Sequence, residues 1–152
     1  MKRIFLIIPL LLMSLLGFNQ NRMQVSITEA SSVARKALKL NGDRHFSNHS
    51  EIVDVIPRYY GNNTALYEFI FSKGESVIIS GSKSARPILA ISHHSNGEAT
   101  LTNLENLPGG YKYFIEKMYQ EICHCFDTTI PENRGWHDYL QLADSTIFFN
   151  SF

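Results

Sequence analysis

The sequence has only two cysteines, and they lie two positions apart in Cys123-His124-Cys125. In an exported protein two cysteines could pair, but residues two apart on a helix point about 200° away from each other and cannot form a bridge. A structural zinc ion usually takes about four ligands, so this stretch is short of them. We expect no metal here, with Cys125 buried on an apolar helix face and Cys123 peripheral. A local disulfide would require the helix to end before Cys123.

The sequence also lacks an excess of charge of either sign. It carries 14 basic and 14 acidic side chains, and removal of Lys2 and Arg3 with a targeting segment would leave 12 basic against 14 acidic. Non-specific nucleic-acid binding needs a basic face. We therefore expect no nucleic-acid partner.

Motifs for catalysis and for phosphate binding are missing too. The polar loop around Gly81 lacks the spacing and the Lys-Ser/Thr pair of a P-loop, and its serines lie in no Gly-x-Ser-x-Gly elbow. His93 and His94 are adjacent at a predicted strand end, so they face opposite sides and cannot easily bind one metal ion. From the residues alone we expect no enzyme, no cofactor and no metal site, and we interpret the Gly81 loop as a hairpin connection.

A long apolar run occurs only near the N-terminus. It extends from Ile4 to Leu16, broken by Pro9 and Ser14, and follows Lys2 and Arg3. The run is short for a membrane span and fits the apolar region of a secretory signal peptide. We predict a signal peptide over residues 1–20, export to the periplasm or the exterior, and no membrane attachment after its removal. No cysteine follows the run, so a lipid anchor is not expected.

The remaining sequence predicts a helix followed by strands. Thr28 is the predicted N-cap of the first helix, and Asn41-Gly42 the predicted end. Its apolar stripe is Ala30, Val33, Ala34, Ala37 and Leu38. Strands are predicted over Glu51–Tyr60, where Pro57 indicates a sheet edge or bulge, over the alternating stretch Leu66–Phe71, and over Val77–Ile79 and Ile88–Ile91. Turns are predicted at Gly61-Asn62-Asn63, Ser72-Lys73-Gly74-Glu75 and Asn96-Gly97.

A second amphipathic helix follows Pro108, a residue suited to the first turn. Its apolar stripe is Tyr111, Phe114, Ile115, Met118, Ile122 and Cys125. Residues 127–152 are polar and turn-rich, and end in an apolar run. The order of elements predicts an α+β fold, with an antiparallel β-sheet of about four strands packed with an N-terminal and a C-terminal amphipathic helix.

The order of these motifs resembles the Spi family, the propeptide and inhibitor domain of streptopain-type cysteine peptidases. The parts that carry the resemblance are Tyr67–Phe71, Lys73-Gly74, Val77-Ile78-Ile79-Ser80-Gly81, Pro87-Ile88-Leu89, Ser92, Glu105-Asn106-Leu107-Pro108 and Tyr111–Ile122. The sequence departs from the family pattern at Glu75-Ser76, Ser82 and Ala90-Ile91. The resemblance implies an inhibitor domain over residues 21–126, with residues 127–152 as its C-terminal extension.

The resemblance also implies a mechanism and a partner. In the family, the loop that enters the second helix reaches the catalytic cleft of the peptidase, and Asn106 has the matching position here, with Glu105 and Leu107 beside it. A streptopain-type precursor continues into a catalytic domain, whereas about 26 residues follow the helix here. We therefore expect a free-standing protein inhibitor of a streptopain-type cysteine peptidase.

Two alternatives stay open. The protein could be a secreted binding module of the same fold, adhesin-like or chaperone-like, that inhibits nothing. It could also be a small enzyme that uses Cys123 or Cys125. At the level of one residue, Asn106 could act as the N-cap of the helix near Pro108 instead of contacting a peptidase.

Overall fold

A computed structural model describes residues 23–41, 50–93 and 101–142. The helices of these ranges are α1 (Ile27–Asn41), α2 (Gly109–Asp127) and α3 (Arg134–Gln141), and the strands are β1 (Ile52–Tyr60), β2 (Asn63–Phe71), β3 (Glu75–Ser80) and β4 (Ile88–His93). A 3₁₀ turn, Leu104–Asn106, precedes α2. The predicted α+β class is confirmed. The predicted signal peptide, Gly42, His94 and the Asn96-Gly97 turn lie outside the described residues.

The four strands form one antiparallel meander in the order β1-β2-β3-β4. Gly61 and Gly74 have φ of 57° and 84° in the first two hairpin turns, where a residue without Cβ is least strained. The prediction for Pro57 is confirmed: it lies in an edge strand, opposite Tyr67, and a register shift follows between Arg58 and Tyr59.

Helices cover both faces of the sheet, so the central strand β2 is buried from Ala65 to Phe71. The alternation predicted for β2 separates the two layers. One core contains Tyr67, Phe69, Phe71, Val77, Ile79, the predicted stripe of α1, and Trp136. The other contains Leu66, Ile78, Leu89, Ile115 and Ile122, with Leu101 and Leu104 packed against it.

The N-cap of α1 is Ser26, so the prediction of Thr28 is wrong. The backbone N–H of Glu29 donates to Ser26 Oγ (3.2 Å), and the backbone N–H of Ser26 donates to Glu29 Oε2 (3.0 Å). This reciprocal pair is a capping box, which requires a Glu or Gln three residues after the cap. Thr28 has Ser31 at that position, and its own backbone oxygen accepts a hydrogen bond from the Ser31 hydroxyl.

Helix α3 lies in the part of the chain for which only turns are predicted. Asn133 caps it, since Asn133 Oδ1 accepts a hydrogen bond from the backbone N–H of Gly135. Trp136 is fully buried against α1 and the sheet. The ammonium of Lys36 on α1 donates to the backbone oxygens of Tyr139 (3.1 Å) and Leu140 (3.4 Å) in the last turn of α3, where a helix favours a positive charge.

Candidate functional site

The candidate contact segment, residues 101–108, runs along the α2 side of the sheet and leads into α2. Its centre is the 3₁₀ turn Leu104–Asn106. The backbone N–H of Asn106 donates to the oxygen of Asn103 (3.1 Å), and that of Leu107 to the oxygen of Leu104 (3.4 Å). The turn therefore uses backbone donors that an extended peptide would offer to another protein.

Both ends of the candidate contact segment are anchored. At its start, the backbone N–H of Leu101 donates to Oε2 of Glu68 at 2.7 Å. Leu101 and Leu104 pack against the core between the sheet and α2. At its end, the backbone oxygen of Pro108 accepts from the N–H groups of Tyr111 and Lys112 in the first turn of α2. A segment fixed in this way has little conformational freedom to lose on binding.

The predicted site residues Glu105, Asn106 and Leu107 lie between these anchors. Glu105 and Asn106 are exposed and Leu107 is half-buried. Glu105 forms an ion pair with Lys112 one turn into α2, and the side-chain amide of Asn106 donates to Oδ1 of Asn103. An exposed ion pair contributes little to stability, so the fold loses little if Glu105 leaves Lys112 for another group.

Asn106 does not cap α2, so that alternative is wrong. The N-cap of α2 is Pro108, and no side chain of the described residues caps this helix end. The reason is local: the backbone of Leu107 and Pro108 is extended, with ψ of 150° and 136°, and this carries Asn106 away from the first turn of the helix. A change at Asn106 therefore removes no cap.

The Gly81 loop connects the antiparallel strands β3 and β4, so its interpretation as a hairpin connection is confirmed. The N–H of Gly81 donates to the oxygen of Ala65 (2.7 Å), and the oxygen of Gly81 accepts from Val25 (2.8 Å). Ser82 is fully buried, and its hydroxyl accepts from the N–H of Ser84. The Ser84 hydroxyl donates to the oxygen of Ile130 (2.7 Å). These serines join the N-terminal segment, the sheet and the chain after α2.

Lys83 is not a free cation at the rim of this loop. Its ammonium lies 2.6 Å from Oε1 of Glu29, and its side chain is 19% exposed. Arg86 is exposed, and its guanidinium lies 3.1 Å from the sulfur of Met118. The loop therefore offers one exposed cation at this edge, beside helix α2.

The two cysteines lie within α2, which continues to Asp127, and both are free thiols. Their predicted positions are reversed: Cys123 is buried and Cys125 is partly exposed. The reason is that the end of β1 crosses this side of α2. The Tyr119 hydroxyl donates to the backbone oxygen of Tyr59 (2.8 Å), and the Arg58 guanidinium lies 3.9 Å from the centre of the Tyr119 ring.

Burial raises the pKa of both thiols, and a hydrogen bond with Tyr119 opposes this effect only in part at Cys123. A catalytic cysteine needs the opposite environment, one that lowers its pKa and favours the thiolate. The surroundings of Cys123 and Cys125 thus favour inert thiols.

Sequence reasoning missed Glu68 as a residue of this site. It is fully buried, and its partners across the sheet are Ile56 and Ile78. A carboxylate in the middle of an apolar strand is the feature by which it could have been found, because burying a charge is costly unless it is paired or hydrogen-bonded.

Over residues 23–41, 50–93 and 101–142, no three His, Cys, Asp or Glu side chains are grouped so that they could hold a metal ion. In the same part of the chain, none of the helices has the length and apolar character that a membrane span requires. Comparison with models of known protein families, with curated proteins and with solved structures finds no match.

Proposed function

We propose that this domain inhibits a streptopain-type cysteine peptidase by placing Glu105-Asn106-Leu107 in the active-site cleft. Residues 79–81, 86–92 and 105–108 resemble the inhibitory propeptide. The structural observation that best supports this function is the conformation of the candidate contact segment. It is a short turn, anchored on both sides, that presents two exposed polar side chains.

This geometry suits an inhibitor better than a substrate. Extended peptides commonly bind by pairing their backbone with an edge of the other protein. In the candidate contact segment the N–H groups of Asn106 and Leu107 are already bonded within the turn. The segment can therefore fill a cleft without offering an aligned backbone for cleavage.

Each side chain of the turn has a role in this proposal. The amide of Asn106 has donors and an acceptor that can bond with polar groups of the catalytic centre. Leu107, half-buried at the base of the turn, offers apolar surface to a neighbouring subsite. Glu105, held by Lys112, lies at the rim.

The alternative of a cysteine enzyme has less support. The pKa values of Cys123 and Cys125 are raised by burial, and a raised pKa reduces the thiolate that would act as nucleophile. We accordingly propose a protein that acts by binding, with an exported peptidase as its partner. The predicted secretory segment 1–20 is the basis for placing both in the periplasm or outside the cell.

The proposal predicts that Asn106→Ala weakens inhibition without loss of stability. The substitution removes polar groups from the proposed contact, and Asn106 is neither buried nor a cap. We expect the inhibition constant to rise about tenfold or more, as for the loss of a buried polar contact of about 1.5 kcal/mol. Titration of the parent and the variant into streptopain-type peptidases, with thermal melting of each, gives the measurement.

Asn62→Ala is the matched control. Asn62 is an exposed asparagine in the β1–β2 turn, and the neighbouring Tyr60 bonds to Asp127 at the far end of α2. Since α2 has 19 residues, this end lies about 27 Å along the helix axis from the candidate contact segment. Equal inhibition by the parent and Asn106→Ala would refute the site, and a parent that slows none of these peptidases at micromolar concentration would refute the function.

A further inference from the structure

We infer that Glu68 is a positioning residue, which holds the candidate contact segment in its binding conformation through the backbone of Leu101. The significance of this conformation rests on the proposed function. The positioning role itself is a property of the free domain and can be tested without a peptidase.

Glu68 has an unusual place in the fold. Its side chain is 0% exposed, and it lies in the centre of β2, the strand that is covered on both faces. Ile56 and Ile78 flank it on the adjacent strands, and cross-strand neighbours share a face of the sheet. A carboxylate among such neighbours loses its hydration, and this loss is costly unless hydrogen bonds replace the water.

The bond to Leu101 is part of this replacement. The N–H of Leu101 donates to Oε2 of Glu68 at 2.7 Å, at the short end of the usual range for N–H···O hydrogen bonds. Leu101 is four residues before Glu105 and five before Asn106. The bond to Glu68 therefore fixes the start of the segment that presents Asn106. An apolar residue at position 68 would suit the core equally well but could not accept this bond.

The consequence is a division of roles within one strand. Leu66 fills the core between the sheet and α2, whereas Glu68, two residues later on the same face, sets the path of an external segment. Loss of the carboxylate is thus expected to leave the sheet intact while the candidate contact segment loosens. A residue of purely structural function would affect the whole domain equally.

Backbone amide exchange of the isolated domain tests this role, with Glu68→Met and Glu68→Gln as variants. Methionine has a similar length and no oxygen, so we expect exchange at residues 101–107 to accelerate about tenfold or more, as for the loss of a buried hydrogen bond, while the amides of β2 and β3 stay protected. Glutamine retains an acceptor oxygen, so it restores most of the protection. The Leu101 amide proton resonance shifts in the glutamine variant because its acceptor changes from a carboxyl to an amide oxygen.

Glu75→Met is the matched control. Glu75 is a second buried carboxylate, 2% exposed. It shares a face of β3 with Val77 and Ile79, the face toward α1. Its Oε2 accepts a hydrogen bond from the Ser50 hydroxyl. We expect the exchange of residues 101–107 to stay at the parental rate in this control. Equal acceleration of all amides in Glu68→Met, or parental exchange at Leu101, would overturn the inference.

The glutamine variant keeps the test decisive if the methionine variant does not fold. An unshifted Leu101 amide in Glu68→Gln would contradict the bond. Inhibition is then measured for the variants that fold, and the methionine variant is expected to be the weaker inhibitor. If exchange behaves as expected and the parent inhibits no peptidase, the positioning role stands and the proposed function fails.

Discussion

Two glycines illustrate how differently the same residue contributes in this protein. A Cβ at Gly81 would lie 1.7 Å from the backbone oxygen of Thr64 and 2.7 Å from its carbonyl carbon, whereas a Cβ at Gly110 would meet nothing within 4 Å. Only the first glycine is required by the packing of the chain. The close approach at Gly81 lets the β3–β4 loop bond to the start of β2.

We therefore predict opposite effects of the same substitution. Gly81→Ala forces two backbone segments apart and should lower the free energy of unfolding by about 3 kcal/mol or more. Gly110→Ala places a better helix former in the first turn of α2 and should raise it by about 0.5 kcal/mol. Equilibrium unfolding in urea measures both. A Gly81→Ala protein as stable as the parent would contradict the observed contact.

Single residues also mark the limits of sequence reasoning. Both Ser26 and Thr28 are suitable caps by type, and Glu29 at the third position after Ser26 decides between them. No local pattern decides between Cys123 and Cys125, because the choice depends on Tyr59 and Tyr119, 60 positions apart in the chain. The cap can therefore be identified from the sequence, whereas the buried cysteine cannot.

At the scale of the element, α1 is connected to the β3–β4 loop through an ion pair that also involves its cap. Burial acts to raise the pKa of Glu29, but hydrogen bonds from Lys83 and Ser26 outweigh it, and the pKa is lowered below the ordinary value of 4.5. A carboxylate with a lowered pKa stabilises the folded state above its unfolded pKa, and this contribution is lost as the pH falls through the folded pKa.

Glu29→Gln should therefore reduce stability at neutral pH, and the difference from the parent should disappear as the pH falls below about 4.5. Glutamine can still complete the capping box, so the effect isolates the charge. Urea unfolding across the acidic range measures the difference, with the exposed Glu132→Gln as control. A difference that is constant with pH would show that the ion pair with Lys83 is not its cause.

The pattern of the sequence predicts α1, α2 and all four strands, including the six-residue strands β3 and β4, but it does not predict α3. The stripe of α1 and the alternation of β2 extend over several turns or pleats. The stripe matches one core, and the alternation divides β2 between both cores. Helix α3 has only eight residues, so Trp136, Tyr139 and Leu140 complete a single repeat of its apolar face. It is held against α1 by the buried Trp136 and by the Lys36 ammonium, and no local pattern reveals these contacts.

At the scale of the molecule, the sequence predicts the α+β class and the hairpin order, because strands joined by short turns pair with their neighbours. It does not predict which helix covers which face. That arrangement depends on contacts such as the bond from Tyr67 to Val25 and the bond from Leu101 to Glu68. The resemblance predicts the candidate site, whereas Glu68, which anchors the start of the segment, can be identified only from the three-dimensional arrangement.

The burial of Trp136 gives the molecule a built-in optical reporter. It is the only tryptophan of the sequence, it is fully buried, and its indole N–H donates to the backbone oxygen of Ala85 at 2.9 Å. Its fluorescence emission therefore depends on whether α3 is packed against α1 and the sheet.

Trp136 belongs to the same core as residues of α1 and the sheet. We therefore expect the emission to move to longer wavelength in the same denaturant range in which the backbone circular dichroism is lost. An emission change at clearly lower denaturant would mean that α3 detaches first, as an independently unfolding unit.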